Sequence, residues 1–333
     1  MKAYAVKELQ HPSKITLTTD WPEPVPKKDQ LLVDVYAAGL NYYDILQAQG
    51  KYQIKHPLPF VLGTEFAGVV RKAPAGSAFK AGDRVFGAVT GAYAERVAVD
   101  PGAVTKLPET LSFEQAAGMY VTWPTSYEAL VGRAKLQPGE FCLVTAAAGG
   151  VGMAAVQLAK GLGAKVIGAA GSQAKLDIVK KRGGADYVVD YTTKGWQQEV
   201  MKITGGKGVD VIYDPVGMIT DCLKCIAWKG RALVVGFAAG SIEKVPTNLI
   251  LLKNISLVGI FWGAYAIREP AHLPTVYREI LDLLASGRVS APVVYERIYS
   301  LETLSEGLHA LETRGTYGKA VVRIKAEPTK AKL

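Results

Sequence analysis

From Glu140 to about residue 261 the chain alternates short apolar runs with helical segments, and few architectures accept that pattern. The apolar runs lie at 141–146, 164–169, 187–189, 209–213, 232–236 and 255–261, with helical segments at 151–162, 172–182, 196–203 and 219–228. Strands joined by crossover helices pair in parallel, so this part is predicted to be α/β with a doubly wound parallel sheet.

The first 110 or so residues follow another rhythm. Short strands at 31–38, 66–70, 84–88 and 94–99 are separated by turns at Gly39, Gly63, Gly82 and Pro101-Gly102, which predicts an antiparallel, barrel-like unit. Ser112 and Gln115 form a capping box that opens a helix through Met119, and a second helix spans 125–134. After Pro270, residues Leu273, Val276, Tyr277, Ile280, Leu281 and Leu284 recur at helical spacing while Arg278, Glu279 and Asp282 face away. A last helix (301–311) and strand (320–324) close the chain.

A length of 333 residues suggests two domains, and 49% hydrophobic against 21% charged residues can build a core, which excludes disorder. The best candidate for a membrane span, 248–260, is broken by Lys253 and Asn254, and Lys2, Lys7 and Glu8 do not suit a secretory signal. A protein in solution and not in a membrane is expected, with the cytoplasm as first location. The three cysteines fit a reducing compartment, with Cys222 and Cys225 expected on one helix face in the core. Lys plus Arg exceed Asp plus Glu by 39 − 30, a net charge of +9, which favours anionic partners such as polyphosphate cofactors. No nucleic-acid motif accompanies that charge, so nucleic acid is not expected as the main partner.

Segment 146–152 (Ala-Ala-Ala-Gly-Gly-Val-Gly) lies between a predicted strand and a predicted helix. Glycine lets the backbone approach a pyrophosphate, and the following helix presents unpaired N–H groups and the positive end of its dipole. Ala148, Gly149, Gly150 and Val151 are therefore candidate phosphate contacts, and Gly152 would let the helix pack close to the strand. Ala146 stands where a strict motif has its first glycine. An NAD site usually places Asp or Glu about 20 residues past the glycines, on the ribose hydroxyls. Here that region reads Gly168-Ala169-Ala170-Gly171-Ser172, with no carboxylate. Gly171, Ser172 and Lys175, with Tyr191 closing from the next strand, would suit a 2′-phosphate, so NADPH is the expected cofactor.

The whole chain resembles the zinc-independent quinone oxidoreductases, the zeta-crystallin-like group of the medium-chain dehydrogenase/reductase superfamily. The resemblance is carried by Ala37-Ala38-Gly39-Leu40-Asn41 with Asp44, Gly63-Thr64-Glu65, Gly82-Asp83-Arg84-Val85, the glycine motif, Tyr213-Asp214-Pro215-Val216-Gly217, Val235-Gly236-Phe237-Ala238 and Phe261-Trp262-Gly263. It implies a Rossmann domain (122–263) inserted into a GroES-like barrel (1–121 and 264–333), with the substrate cleft between them. Zinc alcohol dehydrogenases of the superfamily carry Cys where this chain has Asn41 and His where it has Thr64, and the four histidines are scattered, so no metal is expected.

Without zinc to polarise an alkoxide, reduction of an activated acceptor is the easier chemistry, because a quinone or enone delocalises the incoming charge. The resemblance implies Asn41 at the nicotinamide, Tyr52 in the acceptor wall, and Tyr42 and Asp44 nearby. It implies Asn41, Tyr42, Thr125, Gly236, Phe237, Ala238, Phe261, Trp262, Gly263 and Arg314 as further cofactor contacts. Leu46 stands where several relatives carry tyrosine. A short-chain reductase is excluded, since none of the 16 tyrosines has Lys four residues later.

The sequence thus reads as an NADPH-dependent quinone oxidoreductase. An enone, 2-alkenal or enoyl thioester reductase is the enzyme alternative, and an NADPH-responsive RNA-binding or crystallin-like protein the alternative of another class. The resemblance also implies a homodimer through the edge strand near 255–261. The chain's last residues, Ala331-Lys332-Leu333, are close to the S-K-L peroxisomal address, which makes the peroxisome the alternative location.

Overall fold

The structure, a computed structural model, describes residues 1–327. The C-terminal Ala331-Lys332-Leu333 lies outside the described residues. One compact unit comprises Met1–Val121 and the chain from Val294 onward; the other is Thr122–Val293.

The first unit opens with β1 (Ala5–Val6), β2 (Leu31–Gly39), β3 (Phe60–Val61), β4 (Glu65–Lys72), β5 (Arg84–Ala88), β6 (Arg96–Val99) and β7 (Val104–Lys106). The second unit contributes β8 (Phe141–Val144), β9 (Lys165–Ala170), β10 (Tyr187–Asp190), β11 (Val209–Asp214), β12 (Ile226–Val234) and β13 (Ser256–Gly259). The chain then returns to the first unit with β14 (Val321–Arg323).

In the first unit the antiparallel order is β14-β2-β4-β5-β7, with β6 also on β2 and β1 paired to β3. Alternation along β2 buries Leu31, Val33 and Val35 completely, while Leu32 and Asp34 between them are half-buried. Phe66, Val85, Tyr93 and the helical Leu304 and Leu308 complete that core. The capping box forms as expected: Gln115 N–H donates to Ser112 Oγ at 3.2 Å, and Ser112 N–H donates to Gln115 Oε1 at 3.0 Å.

In the second unit six parallel strands lie in the order β10-β9-β8-β11-β12-β13. The chain winds outward from β8 to β10, then crosses back to build β11 to β13 on the other side. That reversal opens a crevice at the carboxyl ends of β8 and β11, the place where ligands bind in such sheets.

Four readings shift. The helix expected from residue 125 begins at Thr122, with Pro124 in its first turn, where a missing N–H costs no hydrogen bond. The strand expected at 232 begins at Ile226, because Ile226 pairs with Val209 and Lys229 (φ 63°) forms an irregularity before Arg231 pairs with Val211. The preceding helix shortens to Ile219–Cys222 and a turn, Leu223–Cys225. Cys225 Sγ donates to Cys222 O at 3.3 Å, and burial pushes its thiol up to about 12 and that of Cys222 well above the ordinary value, as fits core packing.

The fourth shift is the stretch 264–293, expected with the barrel, which packs in the second unit. Helix Leu273–Ala285 buries Val276, Tyr277, Ile280 and Leu283 there, and Gln157 Nε2 donates to Ser290 Oγ at 2.7 Å. The apolar stretch around 250 forms helix Thr247–Lys253, and no helix among the described residues is long and apolar enough to cross a membrane.

Candidate functional site

The glycine-rich turn joins β8 to helix Gly150–Gly161, at the sheet's switch point. Ala146 adopts φ 44°, the left-handed conformation that favours glycine. Gly149 caps the helix from extended backbone with no side-chain cap, leaving the first N–H groups for other partners. At Gly152 a Cβ would lie 2.4 Å from Ala146 O and 2.9 Å from Ala147 Cα, so only glycine lets the helix sit this close to the turn. Ala148 is buried, and Gly149, Gly150 and Val151 are half-buried.

At the end of β9, Gly171 and Ser172 are exposed and open helix Gln173–Ile178. A Cβ on Gly171 would come within 3.3 Å of Tyr191 Cε2, so the Tyr191 ring lies over this rim. The structure therefore brings Gly171, Ser172 and Tyr191 together, with Lys175 one helical turn on. No side chain at 171 or 172 carries negative charge, and the Ser172 hydroxyl makes no cap hydrogen bond.

Two locks on the crevice escape the sequence reading. Asp214, buried at the end of β11, accepts from Thr145 Oγ1 at 2.5 Å and from the backbone N–H groups of Val216, Gly217 and Met218 at 3.1, 3.0 and 2.6 Å. One carboxylate thus ties both lips of the switch point. The second lock is Ser126, next to the predicted Thr125: its hydroxyl meets Val151 O at 3.1 Å and Tyr213 Oη at 2.9 Å. An acid placed directly after an apolar strand and before Pro215-Val216-Gly217 was the available signal for Asp214.

The turn after β12 lies along residues 214–216: Val235 N–H donates to Asp214 O at 2.9 Å and Ala238 N–H to Pro215 O at 3.2 Å. Phe237 and Ala238 are exposed beside the half-buried Gly236. Among the predicted 261–263 set, Phe261 and Gly263 are exposed. Trp262 is buried, stacked on Tyr265 (5.0 Å) and edge-on to Tyr277 (6.3 Å), so its indole packs the protein.

The first unit holds a separate polar centre. Asn41 caps helix Tyr42–Ala48, and its N–H donates to Asp44 Oδ2 at 2.9 Å. Tyr93 Oη lies 2.5 Å from the same carboxylate oxygen and 3.1 Å from Gly39 O. Asp44 is fully buried, and Oδ1 has no hydrogen-bond partner among the described residues. Burial pushes its carboxyl up to about 7, against the opposing Tyr93 and Asn41 hydrogen bonds and the Lys319 charge. Tyr52 stacks on Tyr43 (5.3 Å), and burial, then the Asp44 charge, pushes its phenol up, so Tyr52 stays a proton-bearing donor. Asn41, Asp44 and Tyr52 gather at this centre, Tyr42 is exposed beside it, and Arg314 lies exposed after helix Leu304–Glu312 of the same unit. Sequence reading missed Glu65, Tyr93 and Lys319 here.

Among the described residues no group of three or more His, Cys, Asp or Glu side chains is placed to hold a metal ion.

The family model for "Zinc-binding dehydrogenase" matches residues 150–286, and that for "Alcohol dehydrogenase GroES-like domain" matches 27–109. Quinone oxidoreductase-like protein 2 of Rattus norvegicus is 38% identical over 330 residues, 97% of this chain and 92% of the relative. The chain belongs to the quinone oxidoreductase-like group of the medium-chain dehydrogenase/reductase superfamily. This oxidoreductase is also similar to solved structures. A probable oxidoreductase from Mycobacterium abscessus matches with TM-score 0.88 and 38% identity over 97% of this chain and 98% of that one. The quinone oxidoreductase of Escherichia coli, solved in complex with NADPH, matches with TM-score 0.86 and 31% identity over 97% and 100%.

Proposed function

We propose that this oxidoreductase transfers a hydride from NADPH to a quinone without a metal. The observation that carries the reading is the switch-point crevice, with its glycine turn and a β9 rim free of carboxylates at 171 and 172. Several relatives named quinone oxidoreductase support the acceptor class.

The residues fit the nucleotide. The N–H groups after Gly149 and the absent side chain at Gly152 suit a pyrophosphate, and Ser172, Lys175 and Tyr191 suit a 2′-phosphate. Thr125, Gly236 to Ala238, Phe261, the backbone of Trp262, Gly263 and Arg314 are further contacts in this proposal. When bound, NADPH supplies the hydride. Asn41 orients the nicotinamide end, Tyr42 flanks it, and Tyr52 donates a hydrogen bond to the acceptor oxygen. Quinone, hydride and one solvent proton then balance as hydroquinone. Positioning and exclusion of water, rather than acid catalysis, supply the acceleration.

The test is NADPH oxidation against a panel of quinones and 2-alkenals. We expect quinones to accelerate it at least tenfold over the acceptor-free rate, with NADH slower. No acceleration by any quinone overturns the reading, and turnover confined to 2-alkenals with a saturated product moves it to enone reduction.

We also propose a homodimer. β13 is a sheet edge, and Leu251, Leu252 and Leu257 around it are 78%, 69% and 40% exposed. An open apolar edge of this kind associates. Light scattering at micromolar concentration should give twice the chain mass; the mass of a single chain refutes it.

A further inference from the structure

In the polar centre of the first unit, Glu65 and Lys319, which the proposed chemistry does not use, join Asn41. Glu65 opens β4, Asn41 follows β2 and Lys319 precedes β14, so the pairing of β14, β2 and β4 gathers side chains 278 residues apart. Lys319 Nζ donates to Glu65 Oε1 at 2.5 Å and to Asn41 Oδ1 at 2.6 Å. Asn41 Nδ2 donates to the same Glu65 oxygen at 2.9 Å, and Val121 N–H donates to Glu65 Oε2 at 3.0 Å. Lys319, Glu65 and Asn41 are 5%, 0% and 7% exposed. Two glycines leave room for the lysine stem: a Cβ on Gly118 would lie 2.4 Å from Lys319 Cγ, and one on Gly39 2.9 Å from Cε.

A buried ion pair adds little net stability, because desolvation offsets the attraction. What it fixes here is orientation. A carboxamide can bind either way round, but an ammonium offers only protons and a carboxylate only lone pairs. Asn41 Oδ1 must therefore face Lys319, and Nδ2 must face Glu65. Oδ1 is thereby engaged. Among the described residues the second N–H of Nδ2 has only Gly39 O as a partner, at 3.5 Å, the outer limit of a hydrogen bond.

We infer that Lys319 is a positioning residue that holds Asn41 as a hydrogen-bond donor toward the nicotinamide end of the cofactor, so that Asn41 reads an acceptor oxygen there. The inference rests on the proposed NADPH site. Its chemistry is specific: Asn41 presents the remaining N–H of Nδ2 to a carboxamide or ribose oxygen.

Three variants test it. Lys319→Met alone strands the Glu65 carboxylate and should melt early. The double variant Lys319→Met with Glu65→Gln keeps the centre neutral and removes the rule that orients Asn41. We expect it to melt within a few degrees of wild type and to raise KM for NADPH about tenfold, with kcat changed less than threefold, the pattern of lost uniform binding. Lys319→Arg keeps the charge and should hold KM within threefold. A normally melting double variant with wild-type KM overturns the inference, as does Lys319→Arg behaving like the double variant. Fluorescence titration of wild type with NADPH separates the two levels: absence of binding overturns the site reading and this inference together, whereas normal binding with no variant effect overturns this inference alone.

Discussion

Replacing Gly152 by valine is expected to weaken NADPH binding at least 100-fold, a loss of about 2.7 kcal/mol, and to destabilise the second unit by about 1–3 kcal/mol. The cause is backbone contact. A Cβ at this position would stand 2.4 Å from Ala146 O and 2.9 Å from both Ala146 C and Ala147 Cα. None of those atoms belongs to a side chain that could turn away. The turn itself is anchored, since Ala147 N–H donates to Ala169 O at 3.0 Å and Gly149 N–H to Ala146 O at 2.9 Å. The helix must therefore move, carrying its unpaired N–H groups off the phosphate position. Gly149→Ala is the control for folding: φ −74° and ψ 170° suit any residue, and its Cβ would meet only Ala146 O, at 3.4 Å. It should melt like wild type, so any affinity it loses measures how closely the phosphates approach that Cα. Calorimetric titration with NADPH checks both variants. Binding by Gly152→Val within threefold of wild type would sink the close-packing account.

The same residues show why this half of the chain could be read from sequence. Parallel strands buried on both faces are unbroken apolar runs, so β8, β9 and β11 were legible as 141–146, 164–169 and 209–213. The glycine turn was legible too, since tight backbone approach leaves a mark on composition, and Ala146 at φ 44° shows how one departure is absorbed. Long-range polar chemistry leaves no such mark. Nothing local in the sequence pairs Lys319 with Glu65 or Asn41; strand order does, and order among antiparallel strands is set by the completed sheet. The bend at Lys229 was hidden for a related reason, because pairing of Ile226 with Val209 overrode the helical pattern of 219–228. The helix after Pro270 was found, but amphipathicity states that a face is buried and does not state against what.

Wild type is expected to lose stability between about pH 4 and pH 7, and Asp44→Asn should abolish that fall. The folded carboxyl is pushed up to about 7 from an ordinary value of 3.8, with burial the main cause. Across that interval the folded protein keeps a proton that the unfolded chain has released. The stabilisation is therefore complete below the unfolded value and is lost as pH rises through the folded one, at up to about 1.4 kcal/mol per unit and about 4 kcal/mol in total. Geometry supports the same proton. Tyr93 has one hydroxyl proton yet faces two oxygens, Asp44 Oδ2 at 2.5 Å and Gly39 O at 3.1 Å. If Asp44 carries a proton it can donate to Tyr93 Oη, and Tyr93 can then donate to Gly39 O. The other charged or titratable groups acting on this site are Lys319, Glu65, Tyr43 and Tyr52, and the substitution leaves all of them in place. Asparagine keeps an oxygen for Asn41 N–H and Tyr93 and cannot ionise. At pH 8 we expect Asp44→Asn to melt roughly 8–16 °C above wild type, and at pH 5 the two curves to approach each other. Melting midpoints measured at unit steps from pH 5 to pH 8 decide the matter, and parallel curves for the two proteins would show that Asp44 is ionised throughout.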